Sequence, residues 1–274
     1  MSSQASLGQA LERAKREGER GDFDAAEKTL KAILAAVPGQ PQALHMLGMI
    51  LLEEGRNTME ESLRRLSRLG FSPARILDIG AYEGWWTRLA RKVLPKAHIQ
   101  MVEAQSEKKA GLENVAREIG NADVRVAVLG AEAGKEVEFL IPDTPFGTTG
   151  SSIYAERTDF KRISRKLVLE RLDDFAMANG PYDLIKLDVQ GSEIDILKGG
   201  LAVLTKAQAV IAEVSILRYN EGSPLLADVV RFMDNQCFKL VDISDLRRGK
   251  MGILYQADAV FLRKTAPFFP DKVW

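Results

Sequence analysis

The chain has almost no cysteine: Cys237 stands alone among its 274 residues. A single thiol excludes an internal disulfide framework and any cysteine-rich zinc site, and it fits a reducing compartment. Cys237 itself reads as a small buried hydrophobe. Net charge is missing too, because 38 basic and 38 acidic residues cancel, so no global field gathers nucleic acid or an anionic membrane. No segment approaches the roughly 20 apolar residues of a membrane span, and Met1 to Glu12 lacks the apolar run of a secretory signal. The expectation is a cytoplasmic protein with neither nucleic acid nor membrane as partner and no bound metal. Histidine is scarce as well. His45 falls in a helical stretch and His98 opens a strand far from its C-terminal end, so neither is placed as a general base.

What is present is ordered. From Leu7 to Arg56 the pattern is helical and repeats, with Ala14 and Gly48 lying 34 residues apart, as do Gly21 and Gly55. That is the tetratricopeptide period. Small residues at Ala14, Ala26 and Gly48 would admit neighbouring helices, while Leu30, Ile33, Leu34, Leu47 and Leu51 supply an apolar stripe. About one and a half repeats rarely stand alone, so residues 1–58 are expected to dock, to dimerise or to hold a partner protein. A linking helix follows over 59–72, Met59 to Leu69 being its helical part, and Pro73 blocks its continuation.

From residue 73 to 274 the pattern becomes short apolar runs alternating with amphipathic helices, the mark of an α/β domain with a mostly parallel sheet. The runs are Arg75 to Ile79, His98 to Val102, Val124 to Leu129, Leu184 to Leu187, Ala209 to Val214, Phe238 to Asp242 and Ala259 to Leu262. Gly134 to Leu169 breaks the rhythm and reads as inserted strands and a loop, with Thr148 to Ser152 small and polar enough to face a ligand.

The first strand ends at Asp78, and Gly80 and Gly84 bracket a turn into the helix opening at Trp85. Glycine there admits positive φ and lets backbone N–H groups approach a ligand. Steric need alone also explains such glycines. The second strand ends at Glu103, 19 residues beyond Gly84, near the spacing at which a carboxylate grips a ribose diol. A helix cap at Ser106 is its other reading. Turn and carboxylate together point to an adenosine-containing ligand. The run Gly80-Ala81-Tyr82-Glu83-Gly84 lacks the glycine spacing of a dinucleotide fingerprint, and Glu83 puts negative charge where a pyrophosphate would lie.

The fourth main strand, Asp183 to Glu193, gathers charge at its C-terminal end, where open α/β sheets place their sites. With Ile196-Leu197-Lys198-Gly199 it resembles the signature of the FkbM-type methyltransferase family. The other landmarks fall in family order: Ile76 to Gly84, Val102-Glu103, Gly150-Ser151-Ser152, Leu172 to Phe175, Glu213, and Asp258 to Leu262. The resemblance covers roughly Ile76 to Arg263. It implies a class I methyltransferase (Rossmann-like) fold, a seven-stranded sheet with the last strand antiparallel, and S-adenosyl-L-methionine as cofactor. It also implies methyl transfer to a hydroxyl of a sugar, glycan or glycosylated metabolite, with an amine as the alternative acceptor. Two positions leave the family pattern: Tyr82-Glu83, where Asn-like polarity is common, and Gln190, where Glu is common.

By that resemblance Asp78, Gly80, Ala81, Tyr82 and Gly84 line the methionine side of the cofactor, Glu103 with Ala104 holds the ribose, Ala127 and Val128 flank the adenine, and Ser151 belongs to the ligand-facing loop. Asp188 is the first choice for the residue facing the reacting methyl, paired with Lys186 two residues before it on the same strand face. An alcohol must lose a proton, and Asp188, Glu193 or Glu213 is a suitable acceptor. Glu193 has a competing role at a helix N-terminus. Trp85 and Trp86 are packing or ring-stacking residues, and Arg218 and Tyr219 are placed to touch substrate. A nicotinamide-dependent oxidoreductase and a non-catalytic scaffold are the readings left beside this one.

Overall fold

The computed structural model describes residues 3–20, 22–55, 58–143, 148–155, 161–176 and 180–269. It divides into two compact units, Met1–Arg64 and Arg65–Trp274.

The first unit holds α1 (Ser3–Glu19), α2 (Phe23–Ala36) and α3 (Pro41–Gly55). Apolar residues three to four positions apart give each helix a stripe. Ala14, Ala26, Leu30, Ile33, Ala43 and Ile50 meet in one buried cluster, with Leu34 and Leu47 packed beside it. Asp22 starts α2 by accepting the Ala25 N–H at 3.3 Å, satisfying a donor the helix leaves open. Gly48 departs from expectation: it is exposed, and a Cβ there would meet nothing within 4 Å, so close helix approach is left to the alanines. Gly21 and the side chain of Leu51 lie outside the described residues. The division between units falls inside α4 (Met59–Arg68).

In chain order the second unit's strands are β1 (Arg75–Ile79), β2 (His98–Glu103), β3 (Ala122–Val126), β4 (Val128–Gly130), β5 (Glu136–Pro142), β6 (Arg162–Arg171), β7 (Leu184–Leu187), β8 (Ala209–Ser215), β9 (Phe238–Arg248) and β10 (Leu254–Arg263). Between them lie α5 (Trp85–Val93), α6 (Lys109–Ile119), α7 (Leu172–Ala176), α8 (Glu193–Lys198), α9 (Leu201–Leu204) and α10 (Leu226–Asn235). The main sheet has seven strands in the order β3-β2-β1-β7-β8-β10-β9, and β10 runs antiparallel to both its neighbours. This is the class I methyltransferase arrangement. A smaller sheet, β4-β6-β5, comes from the segment between β3 and β7.

Three differences from the sequence expectation have local causes. The run from Val124 to Leu129 breaks at Ala127, because β3 pairs with β2 whereas β4 leaves to pair with β6. The last two strands are longer than their apolar cores, since the polar residues Ser244, Arg247, Arg248 and Gln256 still pair across the hairpin. Cys237 is exposed rather than buried. It adopts φ 63° just after α10 and donates its N–H to the Asp234 carbonyl, a helix-ending conformation that turns the residue away from the core.

Alternation along the strands gives the sheet two unlike faces. Leu77, Ile79, Ile185, Leu187, Val210, Ala212, Val214, Ala259 and Phe261 share one core with Leu172, Phe175, Ile196, Leu197, Val229 and Met233 from α7, α8 and α10. Each Leu, Ile, Val, Phe or Met among them contributes roughly 1.5–3 kcal/mol on burial. The opposite parity carries Asp78, Lys186, Glu213 and Asp258, all buried. Asp78 is in register with Lys186, and Glu213 with Asp258. A row of charge therefore crosses β1, β7, β8 and β10 on a single face.

Candidate functional site

The turn after β1 is shaped by close contact. Gly80 has φ 80°, and a Cβ there would sit 1.9 Å from the Asp188 carbonyl oxygen, so only glycine lets β1 and β7 end side by side. Gly84 has φ 73°, and its Cβ would press Val115 at 3.0 Å. Both glycines thus have a steric reason to be there. Between them Tyr82 takes φ 50°, uncommon for a bulky residue. It is held from two sides: its N–H donates to Glu103 Oε2 at 2.8 Å, and Lys108 Nζ lies 3.9 Å from its ring centroid.

Lys108 also ion-pairs with Glu83 at 2.7 Å. The expected negative field of Glu83 is therefore corrected: the carboxylate is exposed and neutralised by a neighbouring cation rather than directed at a ligand. Lys108 was invisible in the sequence, where it reads as one surface lysine among several.

Glu103 is buried at the end of β2. Its Oε1 accepts the Gln105 N–H at 2.9 Å and its Oε2 that of Tyr82. It braces the glycine turn and the turn after β2 at once. Burial raises its proton affinity against the opposing pull of those N–H donors. Asp78 accepts the Thr87 hydroxyl through Oδ2, while its buried Oδ1 finds no partner among the described residues. Ala81 and Ala127 are buried, with Ala104 and Val128 partly so beside them.

The charged centre is at the ends of β7 and β8. Lys186 Nζ lies 3.0 Å from Asp188 Oδ2. Burial works against its charge, yet Asp188, Asp78 and Asp258 outweigh that and push its pKa above the ordinary value. Burial would likewise raise Asp188, but the Lys186 ammonium prevails and holds it below the usual carboxylate range. Glu213 is pushed well up, by burial first and by the Asp188 charge second, with Arg247 Nη1 at 2.9 Å only partly offsetting this. The Gln190 amide nitrogen donates to both carboxylates, to Asp188 Oδ1 at 3.1 Å and to Glu213 Oε2. Asp188 keeps 30% of its side chain exposed, against 2% for Glu213.

Gln190 has φ 55°, and such strain persists where surroundings over-determine it. Its carbonyl accepts from Ser152 Oγ at 2.8 Å and Asn220 Nδ2 at 2.9 Å. Ser152, not Ser151, ties the polar loop to the site. The Ser151 hydroxyl closes its own turn on the Thr148 carbonyl at 2.6 Å. Glu193 starts α8 and accepts the Gly191 and Val189 N–H groups. Burial raises its pKa to about 7 despite them. Trp85 is 74% exposed, whereas Trp86 lies with its ring 6.0 Å from Lys186 Nζ. Arg218 is exposed, and Tyr219 joins the cluster through the Gln256 amide, which donates to its hydroxyl at 2.6 Å.

Asp188, Lys186, Glu213 and Glu193 thus gather at one rim of the sheet, and Gly80, Tyr82 and Glu103 at the adjoining one. Arg247, Gln256 and the site role of Asp258 were missed. For Gln256 and Asp258 the available signal is two alternate polar residues in a strand that otherwise reads Ala257, Ala259, Val260, Phe261.

The family model described as Methyltransferase FkbM domain matches residues 78–240. Magnesium protoporphyrin IX methyltransferase of Synechocystis PCC 6803, solved with its bound cofactor, is similar at 12% identity and TM-score 0.43, with 82% of this chain and 84% of that one covered. A precorrin-6y methyltransferase of Geobacter metallireducens is similar at 10% identity and TM-score 0.41, covering 74% of this chain and 86% of that one. The N-terminal domain of EvdMO1 is similar at 13% identity and TM-score 0.41, covering 74% and 79%. No curated protein matches the chain.

Proposed function

Because the chain belongs to the FkbM methyltransferase family and takes S-adenosylmethionine as cofactor, we propose that it methylates a hydroxyl on a sugar, glycan or glycosylated metabolite, with Asp188 receiving the hydroxyl proton. The observation that carries this is the unequal pair at the sheet rim. Asp188 is ionised and open, whereas Glu213 is closed off and binds protons strongly.

The residues present fit the cofactor. Glu103 is a buried carboxylate at the end of β2, a group whose two oxygens match the two hydroxyls of a vicinal diol. Asp78 offers an orphaned buried oxygen at the end of β1, suited to an ammonium group. S-adenosylmethionine supplies a methyl group on a sulfonium whose displacement leaves a neutral thioether, so no metal is required.

The chain's own task is to hold the acceptor in line and take its proton. With the cofactor bound, Asp188 would take the proton of the acceptor hydroxyl as the acceptor oxygen replaces the sulfonium sulfur on the methyl carbon. Lys186 keeps Asp188 ionised before that moment. Glu213, joined to Asp188 through the Gln190 amide, takes up a proton in its place and so leaves Asp188 as the ionised member of the pair.

Transfer of labelled methyl to a panel of nucleotide sugars, glycans and amines tests the reading. Label is expected on a sugar oxygen. Asp188→Ala should lower turnover by about 100-fold or more, the usual weight of a general base, with cofactor binding retained. Glu103→Ala should lose cofactor binding in calorimetry. Label found only on amines would overturn the acceptor assignment.

A further inference from the structure

Beyond the carboxyl pair, the side chains around Gln190 close a ring. Arg247 on β9 sits with Nη1 against Glu213 Oε1 at 2.9 Å and donates from the same nitrogen to Gln256 Oε1 at 3.2 Å. Gln256 on β10 donates from Nε2 to the Tyr219 hydroxyl at 2.6 Å. Tyr219, in the loop after β8, donates to Gln190 Oε1 at 3.5 Å, the longest link. The Gln190 nitrogen returns to Glu213 Oε2 and reaches Asp188 Oδ1.

The donors all run one way from Arg247. A guanidinium only donates, and the ionised Asp188 at the other end only accepts. With those two ends fixed, each amide and the hydroxyl between them has one orientation that satisfies its neighbours. Gln190 would otherwise be free to present either end of its amide to the carboxylates. On one side it has two acceptors, and on the other the Tyr219 hydroxyl fills its oxygen.

We infer that Tyr219, Gln256 and Arg247 are positioning residues, whose ring holds the Gln190 amide with its nitrogen towards Asp188 and Glu213. An N–H aimed at both carboxylates favours their ionised forms, whereas a flipped amide would aim its oxygen at them and favour a proton. The charges facing Glu213 are Asp188, Arg247 itself and Asp258 on β10. None of them turns with the amide. The ring therefore adjusts the proton affinity of the pair through the orientation of the Gln190 amide. Its use in catalysis rests on the proposed role of Asp188, but its existence does not.

Carboxyl-carbon NMR titration of the full chain labelled at Glu and Asp, with Glu213 assigned through Glu213→Gln, measures this independently of any acceptor. Tyr219→Phe and Gln256→Leu should each move the Glu213 midpoint up by about one pH unit, the scale of one hydrogen bond's preference for the charged form. The double variant should move it no further than either single one, because both cut the same chain of links. Midpoints unchanged or lowered in both variants, or a double variant showing the sum of the two shifts, would overturn the inference. Failure of the sugar panel alongside the expected shifts would remove the acceptor assignment and leave the ring standing.

Discussion

Asp258 shows how a single buried carboxyl at this site trades stability against charge. Burial first, and the Asp188 charge after it, push its pKa from 3.8 to about 7 although Lys186 pulls the other way. A group that binds protons more strongly folded than unfolded contributes stability at low pH, and that contribution drains away as pH rises through the folded value. The window here runs from about 4 to about 7. Asp258→Asn removes the titration. The Tm difference between this variant and the parent should therefore shift in the variant's favour between pH 5 and pH 8, at about 1.4 kcal/mol per unit of pKa displacement at most. Calorimetric scans at the two pH values check this, and a difference independent of pH would refute it. Asp188 behaves in the opposite sense, since Lys186 holds it ionised and its contribution is lost only in acid.

At the scale of elements, the site is the meeting of β1 and β7, and Gly80 makes that meeting close. Gly80→Ala should lower stability by on the order of 3 kcal/mol, summing overpacking against the Asp188 carbonyl and a left-handed conformation forced on alanine. Urea titration measures the loss, and cofactor affinity should fall with it; a variant as stable as the parent would show that the two strands separate easily. The same scale explains what was legible in the sequence. Arg75 to Ile79 and Leu184 to Leu187 were readable as strands because they are short, apolar and bounded, and the charge after Lys186 was readable as a site because it ends a buried run. The hairpin of β9 and β10 was only half legible: its outer residues are polar, and their pairing across strands is a tertiary fact. Arg247 reaches Glu213 across the antiparallel strand β10, so no spacing along the chain announces it. Tyr82 was seen to be unusual, but its reason, Lys108 beyond the next strand, needed the fold.

For the whole molecule, every residue assigned to the site belongs to the unit Arg65–Trp274. A chain beginning at Thr58, which keeps α4 entire, should bind S-adenosylmethionine within about threefold of the full chain, a difference of roughly 0.7 kcal/mol. Isothermal calorimetry on both chains decides it, and a larger loss would give the N-terminal helices a part in the site. Those helices carry their own small core, yet nothing in their pattern names an occupant. Charge at this scale is balanced, 38 against 38, while within the site carboxyl groups outnumber cations. Global neutrality therefore hides a strongly polar interior, and composition alone could exclude partners but not find the centre.

The contact of Gly80 with the backbone of Asp188 also bears on how such an enzyme can change. A position that admits no side chain cannot be used to adapt acceptor choice, and the buried carboxylates beside it influence one another's proton affinity, so a change at one moves the others. Variation that preserves methyl transfer is left to the rim: the Thr148 to Ser152 loop, Leu217 and Arg218, and the tip of the β9–β10 hairpin. The centre is a fixed engine, and new specificities would be written around its edge.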